Sequence, residues 1–199
     1  MKKISVFALA FTLAFTTSCK SDKKETNTTE TEVESTNNTE KTTTEKSYDG
    51  GDVWVNLNAK SGSSVKGTAV FENKGDSVSM LLTVSGLEPG EHAVHLHEKS
   101  DCSAEDGTST GGHWNPTGQP HGKWGADEGY HKGDIGNFTA SDNGKATFTF
   151  ATDEWCIGCG DDTKDILGKA IIIHQGTDDF TTQPTGAAGG RISCGGVIQ

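Results

Sequence analysis

Basic charge is scarce in this chain. Residues 48–199 carry ten Lys plus Arg against twenty-one Asp plus Glu, a balance of −11, and Arg191 is the only arginine. So acidic a domain repels nucleic acid and anionic membrane surfaces at long range, which argues against both as partners of its surface. An anionic substrate would need a locally positive site. Long helical periodicity is also missing from residues 48–199, and no internal repeat recurs. No G-x-x-x-x-G-K loop or H-E-x-x-H pair is present, so the phosphate-loop and zincin readings drop out.

At the N-terminus, Lys2 and Lys3 precede an apolar run, Ile4 to Phe15, which is too short to span a bilayer. Thr16-Thr17-Ser18-Cys19 follows. A basic start, a short apolar stretch and small residues read as a secretory signal over residues 1–19. Its end resembles a bacterial lipobox in which Cys19 is lipidated, with Thr16 standing where a leucine is usual. An ordinary signal peptide cut nearby is the other reading. Both predict export to the periplasm or cell envelope, and the first leaves the protein on the membrane through its N-terminal lipid anchor alone. Residues 20–47 are almost entirely Thr, Glu, Lys, Asn, Ser and Asp, with Val33 the only aliphatic. They cannot bury enough apolar surface to offset the entropy of ordering and read as a disordered tether. Residues 48–199 are left as one folded domain.

What recurs in that domain is alternation between turn signals. Val53, Val55 and Leu57 alternate with polar neighbours, and Val78, Met80, Leu82 and Val84 do so after Asn73-Lys74-Gly75-Asp76. Phe138 and Ala140 lead into Asp142-Asn143-Gly144, and Ala146, Phe148 and Phe150 lead out, which reads as a hairpin. Ala170 to Ile173 is a continuous apolar run ending at His174, and a last strand covers Arg191 to Cys194. Short antiparallel strands with glycine-rich connections predict an all-β sandwich or closed barrel. Two connections, Glu98 to Asp134 and Gln175 to Gly190, exceed simple turns, and long ordered loops on a β scaffold usually carry function.

Three of the seven histidines fall in His92-Ala-Val-His95-Leu-His97. On a strand, His95 and His97 share a face, and His92 points the other way. The first long loop adds His113, His121, His131 and Asp134. Imidazoles plus one carboxylate suit zinc or copper, and so many exceed one tetrahedral site. They predict two metals, or one site with spare ligands, with His174 a further candidate. Removing Cys19 leaves Cys102, Cys156, Cys159 and Cys194, an even number that favours disulfides in an exported protein.

Five stretches, in order, resemble a bacterial-type copper–zinc superoxide dismutase: His-Ala-Val-His-Leu-His-Glu-Lys-Ser-Asp-Cys, Gly-Gly-His-Trp-Asn-Pro, His-Lys-Gly-Asp-Ile-Gly-Asn, Ile-Ile-Ile-His and Gly-Gly-Arg-Ile-Ser-Cys-Gly-Gly-Val-Ile. The resemblance implies a Greek-key β-sandwich or flattened barrel of about eight antiparallel strands with two functional loops. It also implies superoxide as substrate. Copper would be held by His95, His97, His113 and His174, and zinc by His113, His121, His131 and Asp134, with His113 shared. Asp178 would link a copper histidine to a zinc histidine, although Asp179 stands beside it. His92 would bond backbone and not ligate. Arg191 would stand beside copper and bind the anion, and Cys102 and Cys194 would form the intrasubunit disulfide. Relatives occur as monomers and as homodimers, and the sequence leaves that choice open.

Two features depart from the family pattern. No lysine lies between Asp178 and Gly190, where relatives place positive charge to steer substrate, leaving Lys99 and Lys123 as candidates. Trp155-Cys156-Ile157-Gly158-Cys159-Gly160 adds a C-x-x-C motif, which reads as a local disulfide in preference to a thioredoxin-type pair or metal clip. The rival to a dismutase is a noncatalytic copper- and zinc-binding module on the same fold.

Overall fold

The computed structural model describes residues 50–199; the expected signal segment 1–19, its Cys19 and the tether 20–47 lie outside the described residues. Eight strands follow in order: β1 Val53–Ala59, β2 Lys66–Lys74, β3 Ser77–Ser85, β4 Gly90–His97, β5 Gly136–Ala140, β6 Lys145–Thr152, β7 Ala170–His174 and β8 Arg191–Gly196. All pair antiparallel, in the order β5-β4-β7-β8-β1-β2-β3-β6. The sheet curls into a nearly closed barrel, as the turn-punctuated alternation predicts. Among the described residues the one helical element is the 3₁₀ turn Thr108–Thr110, and no helix is long and apolar enough to cross a membrane.

Where one face meets solvent, burial alternates. In β1, Val53, Val55 and Leu57 turn inward and Trp54 and Asn56 outward; in β3, Val78, Met80, Leu82 and Val84 point in. These meet Phe71, Leu96, Ile171 and Ile173 in the core. Each such side chain contributes roughly 1.5–3 kcal/mol on burial. Strands β4 and β7 are different: His92 through His97 and all of β7 are buried. Their inner face packs on the core, and the long connections cover their outer face.

The expected hairpin across Asp142-Asn143-Gly144 is corrected. The turn is tight, with Ser141 N–H donating to the Lys145 carbonyl at 2.9 Å and Gly144 N–H to that of Ser141 at 2.8 Å. Yet β5 pairs with β4 and β6 with β3. This corner is the seam of the barrel, where twist splays the strands too far for a ladder. Phe138 and Phe148 still meet across it, with ring centroids 6.0 Å apart. The structure also adds β2, which shows no alternation, and a third long connection, residues 153–169, which holds the C-x-x-C motif.

Two disulfides form. Cys102–Cys194 joins residues 92 apart, with Cα atoms 5.9 Å apart, and ties the first long loop to β8. Closing so long a loop stabilises the fold by about 4–5 kcal/mol in the chain-entropy picture. Cys156–Cys159 joins residues only 3 apart, and the same reasoning gives about 2 kcal/mol.

Candidate metal centre

Strand parity and register build one half of the site. His95 and His97 stand on the outer face of β4, while Leu96 enters the core. In the ladder His95 faces Ile172 and His97 faces Ala170, so the even positions of β7, ending at His174, share that face. A register shift between Ile173 and His174 then sets Arg191 opposite His174. Without this bulge Ile192 would take the place, so one irregular residue brings the only arginine to the histidine face.

The other half comes from the first long loop, which is sewn onto β4. Trp114 N–H donates to the Leu96 carbonyl at 2.8 Å, Leu96 N–H to that of Gly133 at 2.9 Å, and Gly133 N–H to that of Trp114 at 2.9 Å. A Cβ at position 133 would collide with the Leu96 carbonyl, so this seam requires glycine. His113 is delivered beside His97, His95 and His174, with ring centroids 5.0, 4.0 and 6.0 Å away, and beside His121 and His131 at 5.4 and 5.7 Å.

Two groups of four result: His95, His97, His113 and His174, and His113, His121, His131 and Asp134. All are buried, and within each group the ligand-capable atoms lie within 4.8 Å of one another. His113 belongs to both.

Tautomers follow from the second nitrogen of each ring. His97 Nδ1–H donates to the Gly111 carbonyl at 3.0 Å, and His174 Nδ1–H to that of Gly189 at 3.2 Å, leaving Nε2 lone pairs that face each other at 3.4 Å. His95 Nε2–H donates to Asp178 Oδ2 at 2.8 Å, and His121 Nε2–H to Asp178 Oδ1 at 2.9 Å. One carboxylate thus orients a ring in each group and turns both Nδ1 atoms inward. It is Asp178 that does this; Asp179 is exposed and caps Thr181 and Thr182. A Cβ at Gly186 would overlap the Asp178–His121 contact, and φ there is 65°.

Two buried nitrogens, His95 Nδ1 and His113 Nε2, have no hydrogen-bond partner, and His121 Nδ1 and His131 Nδ1 meet only the shared Asp134 carboxylate, at 3.0 and 3.2 Å. An orphaned buried polar atom is costly, and ring nitrogens converging on two points are what cations relieve. A four-imidazole set and a three-imidazole, one-carboxylate set fit copper and zinc.

The electrostatics differ between the halves. Burial, followed by neighbouring histidines, holds His97 and His174 well below the ordinary imidazole range, so both stay neutral. Burial also lowers His113, to about 4, against the pull of Asp134. For His121 burial pushes down too, but the carboxylates of Asp134 and Asp178 outweigh it and lift the group to about 9. Burial would raise Asp134 and Asp178, yet hydrogen bonds from the histidines overcome it and hold both below the ordinary carboxylate range.

Arg191 is half-buried, and its Nη1 donates to the Gly107 carbonyl at 2.8 Å and to Thr110 Oγ1 at 2.9 Å. Its charge is felt at His97 and His174. His92 lies on the core side, its ring nitrogens against the carbonyls of His174 and Glu88 at 3.0 and 2.9 Å. Gln183 is a residue that sequence reasoning missed. Its side-chain amide brackets the His121 backbone, accepting from N–H at 2.9 Å and donating to the carbonyl at 2.8 Å. Nothing local to a Gln-Pro step announces a contact 62 residues away.

Residues 65–198 match the family described as copper/zinc superoxide dismutase (SODC). Among solved structures, the chain is similar to a SOD-like protein from Bacillus subtilis, at 31% identity and a TM-score of 0.66 over 73% of this chain and 97% of that one. A single and a double mutant of that protein match to the same extent.

Proposed function

Since the chain belongs to the copper/zinc superoxide dismutase family, we propose that it converts superoxide to dioxygen and hydrogen peroxide outside the cytoplasm. The observation that carries this reading is His113, one buried imidazole shared by two ligand groups, with Arg191 aligned beside the first. His95, His97, His113 and His174 would hold copper, which when bound would supply the one-electron chemistry between two superoxide anions. Two superoxide anions and two protons thereby give one dioxygen and one hydrogen peroxide.

The protein's own groups do the rest. Arg191, steadied by Gly107 and Thr110, presents a guanidinium to an anion that the acidic domain otherwise repels. His113 Nε2, on the copper side, is the atom placed to hold a proton and pass it to reduced substrate. Its Nδ1 faces Asp134 Oδ1 at 2.8 Å, inside the group suited to zinc. The backbone carbonyls at Gly111 and Gly189 keep His97 and His174 from swapping tautomer. Zinc chemistry would be structural, holding the shared ring and the loop around it.

Two disulfides agree with an oxidising compartment, and anchoring by Cys19 to the cell envelope belongs to the same proposal. A noncatalytic metal-binding module is the alternative, favoured by solved relatives being described only as SOD-like. Superoxide consumption by protein loaded with copper and zinc separates the two. The dismutase reading expects His95→Ala to lose activity with its copper, and Arg191→Ala to lose activity with copper retained. Loaded wild-type protein no better than free ions would establish the binding module instead.

A further inference from the structure

The C-x-x-C turn is not used by the site just described, and it needs no disulfide to keep its shape. Asp165 binds the amides on both sides of Cys159, accepting from Gly158 and Gly160 N–H at 3.0 Å each, and also from Leu167 N–H at 3.0 Å. Cys156 N–H donates to the Lys164 carbonyl at 2.9 Å, and Ile166 N–H returns to that of Cys156 at 3.1 Å. Trp155, Ile157 and Ile166 anchor the turn in the core. Opening the sulfur bridge would therefore leave Cys159 where it is, beside Cys156. Cys159 is exposed and Cys156 half-buried. In the other disulfide, Cys194 is fully buried against Ala170 and Ile172.

We propose that Cys156–Cys159 is a thiol–disulfide exchange site, opened and reclosed by an external dithiol while the domain stays folded. An incoming thiolate attacks the exposed Cys159 sulfur, and the S–S electron pair leaves on Cys156, which takes up a proton. The second thiol of the reagent, as its thiolate, then attacks its own sulfur in the mixed disulfide. That step expels Cys159 as a thiolate, which is protonated in turn. The two cysteines gain two electrons and two protons, and the dithiol becomes a disulfide. The turn bears Asp161, Asp162 and Asp165 against Lys164, with Asp153 beside it and Glu154 paired to Lys132. This negative rim disfavours anionic thiols and selects a partner whose dithiol lies in a neutral or basic surface.

The experiment treats the metal-loaded full chain with dithiothreitol under native conditions, followed by thiol trapping and mass mapping. Cys156 and Cys159 should be labelled at least about tenfold faster than Cys102 and Cys194, with near-ultraviolet circular dichroism unchanged. Among monothiols at low salt, cationic cysteamine should outpace neutral mercaptoethanol, and that in turn anionic glutathione, with the gaps closing as salt rises. Asp165→Ala should slow reclosure, because Cys159 then loses its hold. Opening only together with unfolding, or at the same rate as Cys102–Cys194, overturns the exchange site; anionic thiols reacting fastest overturns its partner chemistry.

Discussion

On one side of His113, three of the four ligand residues stand on strands β4 and β7; on the other, all four come from the single connection between β4 and β5. The strand-borne half, proposed above for copper as the loop-borne half is for zinc, is framed by backbone carbonyls at Gly111 and Gly189, and its His97 and His174 are held neutral by burial. The loop-borne zinc half is framed by carboxylates, and there His121 is lifted to about 9 in spite of its burial. The first half, with His97 and His174 neutral, suits an ion that changes charge. The second favours positive charge on His121, between the carboxylates of Asp134 and Asp178. The loop takes its order from its seam on β4, from the Cys102–Cys194 tie and from the contacts of Asp134 and Asp178.

The contrast can be broken most severely at the disulfide that ties the ligand-bearing loop to β8. Changing Cys102 and Cys194 together to serine should cost about 4–5 kcal/mol of stability in urea unfolding, because a loop of that length is freed. An effect no larger than that of Cys156→Ser with Cys159→Ser would show that loop length is not what matters. Asp134→Asn tests the zinc half. It should weaken zinc by more than about 100-fold in a chelator competition, with copper affinity changed far less, because a ligand and its charge are both lost. Equal losses at both metals would sink the division into halves.

Asp178→Ala should sharpen the comparison, since its carboxylate serves His95 and His121 alike. Both metals should bind about 10–100-fold more weakly; a loss confined to one would mean the other ring is oriented without it. Gln183→Ala is expected to be the mildest, about tenfold on zinc and none on copper, because it touches only the His121 backbone. Unaltered zinc affinity would make that clamp dispensable.

Much of this was legible in the sequence where a local period carries the information. β1 and β3 alternate because one face meets solvent, and β7 reads as a continuous apolar run because neither does. β2 escaped because Ala69, Val70 and Phe71 are buried in succession. Val70 faces outward, but the register sets it between Trp54 and Leu81, which cover it. The corner at Ser141–Gly144 has the signature of a hairpin, and only the twist of the closed barrel sends its arms to different partners. The residues now gathered in the two ligand groups were visible as types and spacings, whereas Gln183 was invisible.

Ligand chemistry, then, and the opposite facings of His92 and the His95–His97 pair, were determined by the sequence, since parity along one strand is a property of neighbours in the chain. The tertiary structure alone decided that His113 would be shared, that Asp178 would reach two rings, and that a bulge at His174 would carry Arg191 to the same face. Those depend on register between strands and on loop closure across many tens of residues, which are set by packing rather than by local pattern.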